Sequence, residues 1–238
     1  MFTGLIGKKM LKKLIFTSLI TFISTSHAFD INKLTSEENI KIEIYASNLN
    51  SPRQIAEGDK GTIFVGERSG QIIALFDSDG NGEADEKRVI AKNLTYSTGV
   101  SYFAGDLYFS EIDSIWKLEN IETWLAKNLI GLPKKILVTN DLPEDQWHGW
   151  KWIRHDDKGY LYVNVGAPCN VCLSKDKRHA SIIKLEDDSW KYVAKGVRNS
   201  VGFDFHPLSN KLYFTDNGRD WLGDDLPSCE LNRVDSEG

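Results

Sequence analysis

The sequence predicts an all-β protein, a β-propeller built from four-stranded antiparallel blades. The main observation is an internal repeat in which a short strand follows a tight turn four times, as "GTIFVGE", "GDLYFSE", "GYLYVNVG" and "NKLYFTDNG". The copies recur at intervals of roughly 50 residues, which is typical of propeller blades. The second observation is that helical periodicity is nearly missing, which argues against βαβ units and a parallel sheet.

Further strands are predicted around each copy of the repeat. An apolar strand precedes each copy, and another follows the first three as "QIIALFD", "SIWKLEN" and "ASIIKLE". The one predicted helix is short and covers about Ile121 to Lys127. The fourth copy leads only to "NRVDSEG", with the outer strands of that blade absent. Because a propeller protects its edge strands by closing the ring, we expect about four blades of an incomplete ring, from a longer protein or a truncated reading frame.

Residues 1–28 have the layout of an export signal. Four lysines precede an apolar run from Leu14 to Ile23, and "SHA" ends the segment at Ala28. The run is short for a stable membrane anchor, although an uncleaved anchor is the alternative. We therefore predict a signal peptide over 1–28, a partial propeller domain over 29–238, a periplasmic or secreted location, and no membrane span after cleavage.

The charge of the chain bears on its partners. The net charge is −5 at pH 7, and the predicted signal contributes lysines but no acidic residue, so the exported part is more acidic still. An acidic domain without a cluster of lysine or arginine is a poor match for nucleic acid. No nucleic-acid partner is expected.

Three cysteines are present, two of them in "CNVC". In an oxidising compartment Cys169 and Cys172 are expected to form a local disulfide rather than half of a zinc site, because no second CxxC or HxxxH follows. The remaining Cys229 is either a free thiol or the partner of one of the other two.

The segment "DSDGNGEAD" is a candidate calcium loop. Asp77, Asp79, Asn81 and Asp85 supply oxygen donors around a glycine turn, and calcium prefers oxygen ligands. It is not an EF-hand, because Arg88 stands where that loop requires a bidentate glutamate. We interpret it as a hairpin turn that binds a structural calcium, with a plain Asp-Gly/Asn-Gly turn as the alternative.

The densest chemistry lies in Lys195 to Leu231, where an arginine, amides, aromatics and paired aspartates surround two short strands. Together with "HGWKWIRHDDKGYLYVNVGAPCNVC", the motifs "GVRNSVGFDFHP" and "LYFTDNGRDWLGDDLP" resemble the sorbosone and soluble glucose dehydrogenase family, most closely its sorbosone-dehydrogenase-like branch. The resemblance runs from about Leu49 to the last residue. Members are exported six-bladed propellers that oxidise sugars with pyrroloquinoline quinone and calcium, so the resemblance implies both cofactors here.

By this resemblance His148 matches the general base of the family. Removal of a sugar hydroxyl proton, as the carbon-bound hydrogen leaves as hydride, needs a base that titrates near neutrality. The alternative is a loop histidine satisfied by its tryptophan neighbours. The other histidines of this region, His155, His179 and His206, lack such context and are expected at the surface or in turns.

Arg198 and Asn199 match the family residues that contact the quinone. An arginine there could donate to quinone oxygens that gain negative charge. The alternative for Arg198 is an ion pair with a carboxylate such as Asp204 or Asp216 across the blade.

The resemblance also places the cofactor-site calcium in the loop after "LYFTD". The implied ligands are main-chain carbonyls of Gly218 and Arg219, with Asp220, Asp224 and Asp225 nearby; a solvated acidic turn is the alternative. This sequence departs from the pattern at Cys229, where an acidic residue is expected.

The function implied is oxidation of an aldose or sorbosone-like sugar, with an electron acceptor that the sequence does not identify. Aromatic residues near the site could stack on a sugar or pack the blades: Trp147, Trp150, Trp152 and Trp221. The basic contacts to the quinone carboxylates come from later blades in the family, so this chain alone is expected to be weakly active or inactive. The alternatives are a calcium-dependent lactonase propeller and a non-enzymatic propeller that binds glycan or protein.

Overall fold

The computed structural model describes residues 31–237, and the chain divides into two compact units, one up to Ile42 and one from Glu43. In the first unit the described regular structure is a 3-10 turn at Ile31–Lys33. All of the strands lie in the second unit. The predicted signal peptide over 1–28 lies outside the described residues and stays a prediction. Within residues 31–237 no helix is long and apolar enough to cross a membrane.

Fifteen strands and one short α-helix make up the second unit. In chain order they are β1 (Pro52–Glu57), β2 (Ile63–Glu67), β3 (Gln71–Phe76), β4 (Glu86–Ala91), β5 (Val100–Phe103), β6 (Asp106–Ser110), β7 (Ile115–Leu118), α1 (Ile121–Ala126), β8 (Lys135–Thr139), β9 (Ile153–His155), β10 (Leu161–Val165), β11 (Ser181–Glu186), β12 (Ser189–Lys195), β13 (Phe203–Phe205), β14 (Leu212–Asp216) and β15 (Glu230–Arg233).

The strands form four antiparallel sheets, each connected as a simple meander. Three sheets have four strands, β1–β4, β5–β8 and β9–β12, and the fourth has β13–β15. We call them blades 1 to 4. The four repeated sequence motifs are the second strands of these blades, so the predicted all-β propeller arrangement is confirmed. The predicted helix is also present and ends at Ala126.

The expectation that blade 4 lacks its outer strands is wrong for its third strand. β15 pairs with β14 from Tyr213↔Arg233 to Asp216↔Glu230. The sequence "ELNR" has no apolar alternation, because its residues are largely exposed and the pairing rests on backbone hydrogen bonds. Periodicity alone therefore missed it.

The hydrophobic core lies between neighbouring blades. Strand residues alternate between the two faces of a sheet, so each blade presents one apolar face to the blade before it and one to the blade after it. Phe64 of blade 1 packs with Leu107 and Phe109 of blade 2, and Tyr162 of blade 3 packs with Phe214 of blade 4. These contacts fix the angle at which the blades meet.

The inner strands of three blades are joined by one buried amide. Gln54 of β1 is 1% exposed. Its Nε2 donates to the Ile153 carbonyl at 2.6 Å, and its Oε1 accepts from the backbone N–H of Val100 and of Ile153, both at 3.2 Å. A buried amide with its hydrogen bonds formed specifies one arrangement of its partners. Gln54 thus holds the starts of β5 and β9 in register with β1.

Candidate functional site

A cavity of about 200 Å³ lies where the inner strands of the four blades begin. Blade 1 contributes a residue of β1, and the other blades contribute the segments just before β5, β9 and β13. Two of the predicted site residues, a histidine and an asparagine, line it together. The lining residues are Arg53, Thr98, His148, Trp150, Lys151, Trp152, Asn199, Ser200 and Val201.

His148 is held in a left-handed backbone conformation with φ of 53°. Its Nδ1 lies 2.7 Å from the carbonyl oxygen of Ala167. Since a carbonyl oxygen only accepts, Nδ1 carries the proton and Nε2 keeps its lone pair. A Cβ on Gly166 would lie 2.5 Å from the Cβ of His148, so glycine at that position permits the close approach. The result is an oriented imidazole whose basic nitrogen has no hydrogen bond to any residue that the structure describes.

Burial lowers the pKa of His148, and the positive charge of Arg198 adds to the lowering, against the opposing effect of the Ala167 hydrogen bond. Burial disfavours the charged form of a histidine. His148 is therefore neutral at pH 7, which is the state in which it can take up a proton. The alternative, a loop histidine whose polar atoms are satisfied by neighbouring groups, therefore holds for Nδ1 and not for Nε2.

Lys151, which no sequence motif marks, supports the loop that carries His148. The side chain is 2% exposed, and its Nζ donates to the carbonyls of Gly149 at 3.0 Å and Pro143 at 3.3 Å. No carboxylate among the described residues forms an ion pair with it. Burial lowers its pKa to about 8. The sequence signal was weak, since a lysine between two tryptophans reads as a surface residue.

Arg198 is half-buried beside the cavity and all five of its N–H donors are used by protein acceptors. The acceptors belong to two loops, one after β10 and one after β14. They are Asn170 O at 3.0 Å, Asn170 Oδ1 at 2.7 Å, Asn217 O at 3.0 Å, Gly218 O at 2.7 Å and Asp220 Oδ2 at 3.3 Å.

Arg198 forms its ion pair with Asp220, whose Oδ2 lies 3.3 Å from Nη2, and with neither Asp204 nor Asp216. Asp204 lies 3.0 Å from Nε of Arg154 instead. Asp216 accepts the backbone N–H groups of Arg198 and Asn199, at 3.0 and 2.7 Å. Asp216 therefore orders the backbone that presents Asn199, whose side-chain amide faces the cavity without a hydrogen bond to any described residue.

The predicted calcium ligands after β14 do not fit a metal ion in this arrangement. The Gly218 carbonyl accepts from the Arg198 guanidinium, so a cation at that oxygen would meet a like charge. Arg219 and Asp220 are exposed, as are Asp224 and Asp225. Within residues 31–237 these aspartates do not converge into a group of three metal-ligating side chains. The calcium assignment at Gly218, Arg219 and Asp220 stays a prediction that requires Arg198 to move.

The loop after β3 brings three of its four predicted calcium donors together. Oxygen atoms of Asp77, Asp79 and Asp85 lie within 4.8 Å of one another. Asp77 also accepts backbone N–H groups of the turn, including that of Gly82 at 2.9 Å. The Asn81 Oδ1 accepts the N–H of Glu83 at 2.7 Å, so it closes the turn. Calcium binding in this loop stays a prediction.

The sulfur atoms of Cys169 and Cys172 are bonded to each other, and Cys229 is free and exposed. The tryptophans divide into two groups. The Trp150 ring contacts the Tyr96 ring, with centroids 4.5 Å apart, and the Arg68 guanidinium, 4.7 Å from its centroid, and Nε1 of Trp152 donates to the Phe203 carbonyl at 3.0 Å. Both line the cavity, whereas Trp147 and Trp221 are exposed.

The expectation that His155 lies at the surface is wrong. Its ring packs between Phe103 and Tyr108, with centroids 5.0 and 4.3 Å away, and its Nδ1 lies 2.9 Å from the Ser101 hydroxyl. His179 is also enclosed, with a side chain that is 5% exposed, while His206 is exposed in its turn as expected. Burial, with a smaller effect from Arg154, lowers the pKa of His155 to about 4.

We expect His155 to make the fold sensitive to acid. Between pH 6.5 and about 4 the unfolded chain binds a proton at this residue and the folded chain does not, so the free energy of unfolding falls as pH falls through that window. The loss at this one site is about 3 kcal/mol. The free energy of unfolding, measured with urea at pH 7 and pH 4, should fall less in His155→Gln than in the wild type. His206→Gln should keep the wild-type pH dependence, and an equal loss in His155→Gln would contradict the prediction.

The fold and the site define the class of this protein as a β-propeller with an oriented histidine in a cavity where the inner strands of its blades begin. The chain matches the TrAA12-like family over residues 34–232 and belongs to that family. An uncharacterized protein of Borreliella burgdorferi is 35% identical over 224 residues, which are 91% of this chain and 58% of that protein.

Two solved structures share the fold. The holo form of the PQQ domain of pyranose dehydrogenase from Coprinopsis cinerea has a TM-score of 0.63 at 17% identity, over 73% of this chain and 45% of that one. A calcium structure of carbohydrate-active enzyme family AA12 from Trichoderma reesei has a TM-score of 0.65 at 18% identity, over 79% and 52%. The chain thus spans about half the length of these relatives. The relationship predicted from the motifs is confirmed for the family and the fold, and not for the sorbosone branch.

Proposed function

We propose that this protein is an exported sugar oxidoreductase that uses pyrroloquinoline quinone, with an aldose or a sorbosone-like sugar as substrate. The observation that carries the proposal is His148: its Nδ1 is hydrogen-bonded to the Ala167 carbonyl, which leaves Nε2 as the unprotonated nitrogen, and the residue lines a cavity together with Asn199. Membership of the TrAA12-like family and the fold shared with a pyranose dehydrogenase PQQ domain support it.

The cavity fits a flat, anionic quinone. Trp150 and Trp152 offer aromatic surface, and Asn199 offers a free amide that can donate to a carbonyl or carboxylate. Arg53 lines the same cavity and forms no ion pair with any described residue. An unpaired guanidinium is suited to bind a carboxylate in a bidentate manner. Asn199 and Arg53 are thus the residues we propose to hold the cofactor directly.

In this proposal the residues of the chain itself transfer a proton and orient the reacting groups. Nε2 of His148 accepts the hydroxyl proton of the sugar, and its neutral state at pH 7 follows from burial. The bound quinone would accept the hydride that leaves the carbon bearing this hydroxyl group. Direct contact between Arg198 and the quinone stays a prediction, and it would require the guanidinium to give up one of its five hydrogen bonds.

No step is assigned to calcium, because the Gly218 carbonyl is engaged by Arg198. Calcium binding there would release the guanidinium from Gly218 and free a donor toward the cavity. We propose low activity for this chain alone, since it spans about half of its relatives and the further basic contacts of the family come from later blades. The lactonase alternative needs carboxylates at the centre, and no carboxylate is found among the described residues that line this cavity.

The test is a titration of the 238-residue chain with pyrroloquinoline quinone, followed by quenching of tryptophan fluorescence, in calcium and in chelator. We expect saturable binding that Asn199→Ala weakens about tenfold, the cost of one hydrogen bond to a charged group. Asn232→Ala, in the third strand of blade 4 and outside the cavity lining, is the control. A panel of aldoses with an artificial electron acceptor then tests for turnover. Absence of quenching at millimolar quinone would overturn the proposal.

A further inference from the structure

Asn170, in the middle of the "CNVC" motif, is hydrogen-bonded to both Arg198 and the loop after β14. Its Oδ1 accepts from Nη2 of Arg198 at 2.7 Å and from the backbone N–H of Asp220 at 2.8 Å. Its main-chain carbonyl accepts from Nε of Arg198 at 3.0 Å, and its Nδ2 donates to the Asp220 carbonyl at 3.3 Å. One residue therefore binds both the arginine beside the cavity and the loop after β14.

The same arginine is connected to the candidate base. The backbone carbonyl of Arg198 accepts from the N–H of Ala167 at 2.8 Å, and the carbonyl of Ala167 accepts from His148. Contacts thus run without a gap from Asn170 through Arg198 and Ala167 to His148. Asn199 follows Arg198 directly and faces the cavity.

The disulfide Cys169–Cys172 closes a ring that contains Asn170. A short covalent ring leaves few conformations to the residues within it, so Asn170 loses little entropy when it binds its partners. Val171, the other residue within the ring, is 64% exposed. The ring thus presents one asparagine inward and one apolar side chain outward.

We propose that Asn170 is a positioning residue of the site: held by the Cys169–Cys172 ring, it fixes Arg198 and the 217–220 loop so that Asn199 is presented to the cavity. The proposal gives the "CNVC" motif a functional role, and it rests on the proposed function for its effect on quinone binding. A charged donor with fixed acceptors keeps its place, whereas a guanidinium freed from Asn170 has many rotamers.

The test compares Asn170→Leu, which removes the side-chain hydrogen bonds at similar size, with Asn170→Asp, which keeps the acceptor toward Arg198 and Asp220. Val171→Ala, in the same ring, is the matched control. We expect Asn170→Leu to weaken quinone binding about tenfold and Asn170→Asp by no more than about threefold. Cys169→Ser/Cys172→Ser should weaken binding in the same direction, and equal unfolding midpoints show that the variants are folded.

A double-mutant cycle separates positioning from general destabilisation. If Asn170 acts through Arg198, then Asn170→Leu should change the quinone affinity of Arg198→Met less than about twofold. Effects that multiply would overturn the proposal, as would wild-type affinity in Asn170→Leu.

Hydrogen exchange provides a readout that needs no quinone. The amide of Asp220 should exchange faster in Asn170→Leu than in the wild type, because its acceptor is gone. If the wild-type chain binds no quinone, the proposed function fails, and exchange alone decides the positioning proposal. Unchanged exchange across 217–220 would then overturn it.

Discussion

Replacement of His148 by asparagine is expected to lower the rate of sugar oxidation by about 10²–10⁴-fold, the usual contribution of a general base. Asparagine tolerates the left-handed backbone of this position, and its Nδ2 can replace Nδ1 as donor to Ala167. The substitution therefore removes Nε2 but keeps the backbone conformation and the hydrogen bond to Ala167. The measurement is the single-turnover reduction of bound quinone by excess aldose, followed spectrally.

The pH profile offers a second check on His148. The wild-type rate should fall as pH drops through the pKa of His148, which burial holds below its ordinary value of 6.5. His148→Asn should lose this acidic limb while it binds quinone with near wild-type affinity. His206→Asn, in an exposed turn, is the control. A wild-type rate in His148→Asn would remove this residue from the mechanism.

Substitution of Lys151 by methionine is expected to abolish a steep pH dependence of stability. Burial lowers the pKa of Lys151 from 10.5 to about 8. Between pH 8 and 10.5 the unfolded chain binds the proton and the folded chain does not, so the free energy of unfolding rises with pH in that window. The cost of the charged lysine is fully present below pH 8 and is about 3 kcal/mol.

Urea unfolding at pH 7.5 and pH 10 measures this difference in the wild type and in Lys151→Met. Comparing the wild type with Lys151→Met at pH 7.5 alone is less informative than comparing their pH slopes. Methionine also leaves the Gly149 and Pro143 carbonyls without their donor, and this lowers stability by itself. Exposed Lys191→Met should keep the wild-type slope. An unchanged slope in Lys151→Met would show that the ammonium reaches water.

Much of the fold could be predicted because propeller blades repeat. The strands β2, β6, β10 and β14 carry the same alternation, and each strand needs only its own residues and a turn to be recognised. β15 was missed because an exposed strand has no apolar pattern to detect. His155 was misplaced because its burial depends on Phe103 and Tyr108, which come from another blade.

The site was predicted only in part. Motif resemblance pointed to His148 and Asn199, and both line the cavity. It also pointed to Gly218 as a metal ligand, where the structure has an arginine hydrogen bond. Lys151 carries no motif, and its role depends on burial that no local pattern records. Asn170 lies in the "CNVC" motif, which predicts only a disulfide, and its role depends on Arg198 and Asp220, which lie far along the chain.

The sequence by itself determined the blades, their order and the segment that carries the candidate base, since these follow from local alternation and turns. Only the tertiary structure decided which nitrogen of His148 is hydrogen-bonded, which acceptors hold Arg198, and that Lys151 is buried with no carboxylate partner among residues 31–237. Those properties are set by hydrogen bonds and burial between residues far apart in the chain, which no local pattern records.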